Sequence, residues 1–411
     1  ARAGLAAMAA AAGDGLECVS KELICGGELS TFRWDGDRMM RAWMPPGHSV
    51  ASEALPCLWL NDGQNVFRDE VAFGGVSWGA AGTVLHLMES GCIPRIAVIA
   101  IDHGGPRRSY DYLPVCPGDW GGMRGDMSEA SGGGVEAYSK RVLSELLPWA
   151  EKRFGLSAKP EDRAFGGSSF GGVSALYMAM LHPEAFNGVL IESPSFWACN
   201  GRLLEDVASH SGKPWPRRVY LAMGANEYTG TRQNTGEAGA GCDRFLAKAL
   251  GQCAGLLAEQ GLEHDRLDWH VEPGGKHNER DWRRRLPRAL RWLFAERSMS
   301  VDVAPGAVFW TQPSPVRPGR PFELYADASK LKLPRGGGAA QVHLGFDGWS
   351  RDIQDAALLP AGLPRSRAGG VDWLAALAYV PQGARNLRFA FTDGAAWDNN
   401  GGRDYELPVG S

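Results

Sequence analysis

The tightest constraint in this sequence is the run Phe165-Gly166-Gly167-Ser168-Ser169-Phe170-Gly171-Gly172. Within it, Gly167-Ser168-Ser169-Phe170-Gly171 fits Gly-x-Ser-x-Gly, the spacing of a strand that turns sharply into a helix with serine at the apex. Glycines two before and two after leave room where side chains would collide. Strain at the apex pushes the hydroxyl out above the sheet, where a base can reach it, so Ser169 is the candidate nucleophile. The flanks agree: Arg163-Ala164-Phe165 is strand-like, and Gly172 to Leu181 reads as an apolar helix closed by His182-Pro183. With 55 glycines in the chain the motif alone says little. A second match, Gly75-Val76-Ser77-Trp78-Gly79, follows no buried strand and reads as loop.

The chain around that corner alternates. Pro56 to Leu60 and Ile96 to Ile101 are continuous apolar runs, as in strands buried on both faces. Further strands are expected at Asn187 to Glu192, Arg218 to Met223 and Leu267 to Glu272. Helical spacing occupies Trp78 to Glu89, Val135 to Phe154, Cys242 to Leu262 and Asn278 to Phe294. A hairpin is expected upstream, where Ser30 to Trp34 and Met40 to Met44 alternate around Gly36. This order predicts an α/β fold with a doubly wound, mostly parallel sheet. The Gly-rich stretch from Pro106 to Gly134 is long for a connection, and such loops border sites. After Glu296 the character changes: Pro305, Pro313, Pro315, Pro318 and Pro321 mark a junction. Short β-like runs follow at Phe322 to Tyr325, Gln341 to Leu344, Leu374 to Val380 and Asn386 to Thr392. The expected organisation is a leader over 1–28, an α/β domain over 29–298 and a small all-β sandwich over 299–411.

A serine nucleophile needs a base, and the base needs an orienting acid. Where the serine sits on such a corner, the chain order is Ser, acid, His, as in α/β-hydrolases. Active sites of parallel sheets lie at the carboxyl ends of the strands. His277, in a loop that opens a helix after the last strand, fits the base. His264 precedes that strand and His270 lies within it as a packing element. The acid should follow Arg218 to Met223, which selects Glu227; Asp243 is the fallback, at a position expected to start and cap a helix. The oxyanion hole needs two backbone N–H groups. Phe170, after the nucleophile, offers one, and Gln64, after Asp62-Gly63, offers the other. Asp62 is expected to brace that turn.

Four segments in order, Leu60-Asn61-Asp62-Gly63-Gln64-Asn65-Val66-Phe67, Gly167 to Gly172, Ser193-Pro194-Ser195-Phe196-Trp197 and Gly275-Lys276-His277-Asn278-Glu279, resemble the putative-esterase family of α/β-hydrolases, which includes enterochelin esterases and carbohydrate esterase family 1. The resemblance spans about Leu29 to Phe294. It implies Ser169, Glu227 and His277 as a triad, Gln64 and Phe170 as the oxyanion hole, and Trp197 and Arg108 lining or bracing the site. Many members carry Asp where Glu227 stands. The C-terminal part resembles starch-binding carbohydrate-binding modules of families 25 and 53 through Val308 to Pro313, Val342 to Trp349, Phe389 to Gly394 and, most specifically, Trp397 to Tyr405. That resemblance implies a β-sandwich binding α-1,4-glucan, with His343, Trp349 and Trp397 as the sugar platform and Asn399 or Asn400 adding hydrogen bonds. The C–H face of glucose suits an indole ring. Asp347 stands where many such modules have Asn.

The function these readings imply is a serine carboxylic-ester hydrolase, acting on a small ester and carried to starch or another α-1,4-glucan. The alternative is a glucan-binding adaptor whose hydrolase domain is idle or transfers acyl groups. A net charge of −4 suggests no nucleic-acid partner, and no apolar run has the length of a bilayer span. The eight cysteines show no Cys-x-x-Cys pair and no zinc spacing, so neither metal nor cofactor is expected, and whether the cysteines pair stays open. Arg280, Arg283, Arg284, Arg285, Arg288 and Arg291 read as a solvated helix face, and Gly132-Gly133-Gly134 as a loop without a phosphate cradle. Ala1 to Ala12, rich in Ala with Arg2 and no acid, reads equally as the tail of a transit or signal segment or as a disordered leader. A plastid is the expected location if starch is the target, with secretion as the alternative.

Overall fold

Apolar runs dictate the centre of the fold. In the computed structural model, which describes residues 16–116, 132–229, 237–294, 306–334, 340–361 and 373–410, every position of Cys57–Asn61 and Ala97–Ile101 is buried. Residues 1–15 of the leader expected over 1–28 and the expected division at 298–299 lie outside the described residues; the rest of that leader is ordered, with Glu17–Ile24 forming a strand paired to Gly27–Asp35. The chain divides into two units, Ala1–Gly82 with Arg95–Leu286, and Thr83–Pro94 with Pro287–Ser411.

In the first unit the strands are β1 Glu17–Ile24, β2 Gly27–Asp35, β3 Arg38–Met44, β4 Cys57–Asn61, β5 Ala97–Ile101, β6 Arg163–Ser168, β7 Gly188–Glu192, β8 Arg218–Gly224 and β9 Leu267–Glu272. They form one sheet in the order β1-β2-β3-β5-β4-β6-β7-β8-β9. The run from β5 to β9 is parallel, and β1, β2 and β3 extend it antiparallel. This is the mostly parallel α/β sheet expected. It has one strand the apolar pattern does not reveal, because β1 is an edge strand with mostly exposed residues. The expected helix at 135–154 is interrupted: a π turn, Val142–Leu146, separates Val135–Arg141 from Leu147–Phe154. Because β6 to β9 run in parallel, the loops after them open on one edge of the sheet, where the candidate residues lie.

The second unit contains β10 Phe309–Gln312, β11 Pro321–Asp327, β12 Gln341–Phe346, β13 Arg351–Ala357, β14 Leu359–Pro360, β15 Trp373–Tyr379, β16 Asn386–Thr392, β17 Trp397–Asp398 and β18 Tyr405–Pro408. They pair antiparallel in two sheets, β10-β11-β15-β14 and β13-β12-β16-β17, with β18 on β16. Side chains alternate along β11. Phe322, Leu324 and Ala326 join Val342, Leu344, Phe346, Leu387, Phe389 and Phe391 in one apolar core fed by both sheets. Glu323 and Tyr325 point the other way, and both are fully buried.

Glu323 is matched by Arg291, whose Nη1 lies 2.8 Å from Oε1 and whose Nε donates to the Ala361 carbonyl at 2.6 Å. The Cys92 thiol donates to the same carboxylate at 2.7 Å, and the Tyr325 hydroxyl also donates to it. The arginine series on Glu279–Phe294 is therefore not the solvated face expected: Arg285 and Arg291 are each 2% exposed. Breaking a buried pair by removing one partner costs about 3–5 kcal/mol, whereas replacing both with apolar groups is often neutral. Arg291→Met should therefore lower the melting temperature of the second unit sharply in calorimetry, and Arg291→Met with Glu323→Leu should recover most of the loss. A single variant that melts with the wild type would contradict this role.

Candidate active site

The corner after β6 shows why only this residue pattern fits. Ser169 sits at φ 58°, ψ −126°, a strained position for a residue with a Cβ. Its N–H donates to the Glu192 carbonyl at 3.0 Å, and its own carbonyl receives Gly172 and Val173, which starts the helix Phe170–Leu181. A Cβ at Gly167 would lie 2.6 Å from the Gly171 carbonyl oxygen, and one at Gly171 would lie 3.0 Å from Asp62 Oδ2. Gly167 is thus required by close backbone approach and Gly171 by the side chains of Asp62 and Asn61. The Ser169 hydroxyl lies 3.3 Å from that of Ser195, a residue of the Ser-Pro-Ser segment after β7. Ser77, in the competing motif, is buried and bonded to Asp69 of its own loop and to Arg283 of the helix Glu279–Phe294.

His277 and Glu227 meet. His277 Nδ1 lies 2.5 Å from Glu227 Oε2, and the His277 N–H donates to the Glu227 carbonyl at 3.1 Å. Glu227 follows β8 and His277 follows β9, as the expected strand order requires. The imidazole is stacked on Tyr228 at 5.1 Å and meets the edge of Trp282 at 5.2 Å, so its plane is fixed from two sides. Sequence reasoning did not assign either ring, although Tyr228 adjoins the acid and Trp282 lies one and a half turns past the base. Asp243 is not the helix-starting cap expected. It lies inside Glu237–Glu259 and binds the Tyr228 and Thr229 backbone amides, which steadies the acid's loop. His270 lies in β9 against the Tyr220 ring at 5.7 Å.

A buried polar network supports the acid. Glu227 is 1% exposed, and its Oε1 accepts from the Ser193 hydroxyl at 2.8 Å and the Gly224 N–H at 2.6 Å. Burial works to raise its pKa, but His277, Arg285 and the Gly224 amide outweigh it and hold the carboxyl below its ordinary range. The Ser193 hydroxyl in turn accepts from Trp282 Nε1 at 3.0 Å and Arg285 Nη2 at 3.2 Å. Arg285 also reaches Glu192 Oε2 at 2.9 Å and Glu272 Oε2 at 2.8 Å. Among the described residues Glu192 Oε1 has no hydrogen-bond partner, and burial pushes this carboxyl up to about 7 although Arg285 draws it down.

The turn expected to supply the second oxyanion donor is a single 3₁₀ turn, Gly63–Asn65, entered through Asp62 in the left-handed region at φ 56°. Asp62 braces it as expected: Arg108 Nε and Nη2 each lie 2.8 Å from its two oxygens. The Arg108 guanidinium also sits 5.2 Å from the Phe170 ring, which packs at 5.6 Å on Trp197. Arg108 thus braces Asp62, two residues before Gln64, and Arg108 and Trp197 both pack on Phe170. The cysteines resolve as one disulfide, Cys116–Cys199, with the other six outside any disulfide among the described residues. Among the described residues no group of three or more His, Cys, Asp or Glu side chains converges to hold a metal ion, and no helix is long and apolar enough to cross a membrane.

In the second unit the three expected platform rings are neighbours. His343 stacks on Trp349 at 5.1 Å with 21° between planes, and meets Trp397 edge-on at 5.5 Å. Trp397 is 53% exposed. His343 Nδ1 lies 2.6 Å from Asp355 Oδ1, and Trp349 Nε1 donates to Asp404 Oδ2 at 2.9 Å. Asn399 Oδ1 accepts from Gly402 N–H at 3.0 Å and Asn400 Nδ2 donates to the Asp404 carbonyl at 3.1 Å, so both side chains help build their own turn.

Comparison with known proteins agrees with the architecture of the first unit. The family model described as putative esterase matches residues 33–293. The YbbA protein of Bacillus subtilis (strain 168), described as uncharacterized, is 23% identical over 66% of this chain and 97% of its own length. The iron(III) enterobactin esterase of Dickeya dadantii (strain 3937) is 30% identical over 106 residues, 22% of this chain and 24% of that protein. The chain therefore spans about a quarter of the length of that esterase. The solved siderophore hydrolase EstB of Aspergillus nidulans shares the fold, with a TM-score of 0.50 at 15% identity over 68% of this chain and 99% of its own.

The raised Glu192 carboxyl has a consequence for stability. Between its ordinary 4.5 and about 7, the folded chain holds a proton that the unfolded chain has lost. Stability contributed by Glu192 is then complete below pH 4.5 and declines as pH rises towards 7. Melting temperatures measured from pH 5 to 8 should fall less steeply for Glu192→Gln than for the wild type. An unchanged slope would contradict the assignment.

Proposed function

This chain belongs to the putative-esterase family and is an esterase of the α/β-hydrolase type; we propose that it works through Ser169, His277 and Glu227, and that its C-terminal region holds it to α-1,4-glucan. The observation that carries the catalytic reading is the His277–Glu227 hydrogen bond, made by the loops after β8 and β9 on the sheet edge where the Ser169 corner also opens. Glu227, kept ionised by its neighbours, fixes the imidazole with Nδ1–H towards the acid. That tautomer leaves Nε2 as the base.

The reaction follows from these assignments. The Ser169 oxygen attacks the ester carbonyl carbon, and its proton passes to His277 Nε2. The carbonyl oxygen becomes an anion held by the N–H groups of Gln64 and Phe170. His277 then gives the proton to the departing alcohol oxygen, leaving an acyl group on Ser169. Water repeats the sequence in reverse, with His277 as base, to release the carboxylic acid and restore the serine. Amides aimed at the developing charge are expected to supply the largest share of the acceleration; removing one such donor costs about 100- to 1,000-fold in rate elsewhere.

For the second unit we propose a two-sheet sandwich whose His343, Trp349 and Trp397 rings form a platform for an α-glucan chain. The adjacency of the three rings and the exposure of Trp397 support it. Asn399 and Asn400 are proposed to meet sugar hydroxyls at the platform's rim with the amide atoms their turn does not use. A plastid is the proposed location, since starch would be met there.

Two measurements test these readings. Ser169→Ala should abolish hydrolysis of p-nitrophenyl acetate and labelling by a fluorophosphonate, while melting like the wild type; undiminished hydrolysis would end the catalytic reading. Trp349→Ala with Trp397→Ala should release the protein from starch granules in a pull-down. Retention equal to the wild type would remove the glucan claim and leave the esterase untouched.

A further inference from the structure

One acid of the site has no part in the reaction as written. Glu279 lies two residues past His277, as the first residue of the helix Glu279–Phe294, and is 7% exposed. Its Oε1 accepts a hydrogen bond at 3.1 Å from Nδ2 of Asn65, 214 residues earlier in the chain. Asn65 closes the turn that carries Gln64.

Every polar group of Asn65 is engaged. Its N–H donates to the Asp62 carbonyl at 2.8 Å, and its carbonyl accepts from Trp78 N–H at 2.8 Å. Its Oδ1 accepts from Phe73 N–H at 2.9 Å. The turn is also pressed onto the end of β5: a Cβ at Gly63 would lie 2.7 Å from Asp102 Oδ1 and 2.8 Å from the Ala100 carbonyl carbon. The start of the turn is thus fixed by packing and by the Arg108–Asp62 pair. Its end is fixed by the side chain of Asn65, and through it by Glu279.

We propose that Glu279 is a positioning residue that holds the oxyanion turn through the Asn65 carboxamide, tying the second oxyanion donor to the loop that carries the base. The link sets the distance between the two parts of the site that must act together, proton transfer at His277 and charge stabilisation at Gln64. Oxyanion donors act through placement at about 2.7–3.1 Å from the developing charge, so a small drift of the turn lowers the rate of the chemical step and leaves ground-state binding intact. Burial pushes the Glu279 carboxyl up to about 7; Asp62 adds to this, while His277 and Arg108 oppose it. Ionised or neutral, Oε1 accepts from Asn65, so the link survives the proton's arrival. Glutamine, with a carbonyl in the same place, should serve as well.

The test is the steady-state hydrolysis of p-nitrophenyl acetate by the full chain. Glu279→Ala and Asn65→Ala should each lower kcat about tenfold or more with KM within about twofold, since a displaced donor costs less than a deleted one. The two changes together should cost no more than either alone. Glu279→Gln should keep at least half of the wild-type kcat. Wild-type kcat in Glu279→Ala, a loss carried by KM, additive losses, or a Glu279→Gln variant as slow as Glu279→Ala would each overturn the proposal. Should Glu279→Ala not fold, Asn65→Asp opposes two carboxyls and should be slow at pH 8, and adding Glu279→Gln should restore it by reversing the bond's polarity. A double variant as slow as Asn65→Asp alone would overturn the proposal. The inference rests on the esterase reading: an inactive wild type ends both, whereas an active wild type with an equally active Glu279→Ala ends this one only.

Discussion

A buried carboxylate against an imidazole is the interaction on which the chemistry proposed for the first unit depends. Left alone at 1% exposure, Glu227 would take up a proton and lose its hold on His277. The chain prevents this with donors from three elements: Gly224 from the end of β8, Ser193 from the turn after β7, and Arg285 acting through Ser193 from the last helix. Each donor is itself placed by the sheet or by a second bond. The price is a second acid, Glu192, which shares Arg285, lacks a partner for one oxygen among the described residues and holds its proton towards neutrality.

The proposed nucleophile, Ser169, is organised by a different force. At the Ser169 corner steric crowding does the work that charged and polar groups do around Glu227. The corner is held at a left-handed φ by the Ser169 N–H donating to the Glu192 carbonyl and by glycines that allow β6, the next helix and Asp62 to approach. Glu192 therefore touches both halves of the site, through its carbonyl to Ser169 and through its carboxyl to Arg285. The turn proposed to carry the second oxyanion donor completes the arrangement, held at one end by Arg108 on Asp62 and at the other by Glu279 on Asn65.

What the sequence shows of this arrangement follows from how local each constraint is. The serine corner is legible because close backbone approach admits only glycine at fixed offsets. The parallel strands are legible because burial on both faces forces continuous apolar runs. The acid and base are legible through strand order, since each must follow its strand on one sheet edge. Residues held by distant partners are not legible. Arg285 and Arg291 look like any other charges on a basic helix until Glu192, Glu272 and Glu323 arrive from strands elsewhere in the chain. Asp243 reads as a helix cap because its role lies in the Tyr228 and Thr229 amides, far from its own helix start. Strand β1 is silent because an exposed edge imposes no apolar alternation. The Cys116–Cys199 pairing spans 83 residues with no spacing rule to announce it.

The account stands most directly on where an acyl group goes. Mixing the full chain with an excess of p-nitrophenyl acetate, stopping with acid within the first turnover and sequencing the peptides by mass spectrometry would locate it. The acetyl group is predicted on the Ser169 oxygen. An acetyl group on Ser77 or Ser195, or turnover with no acylated residue at all, would contradict the account.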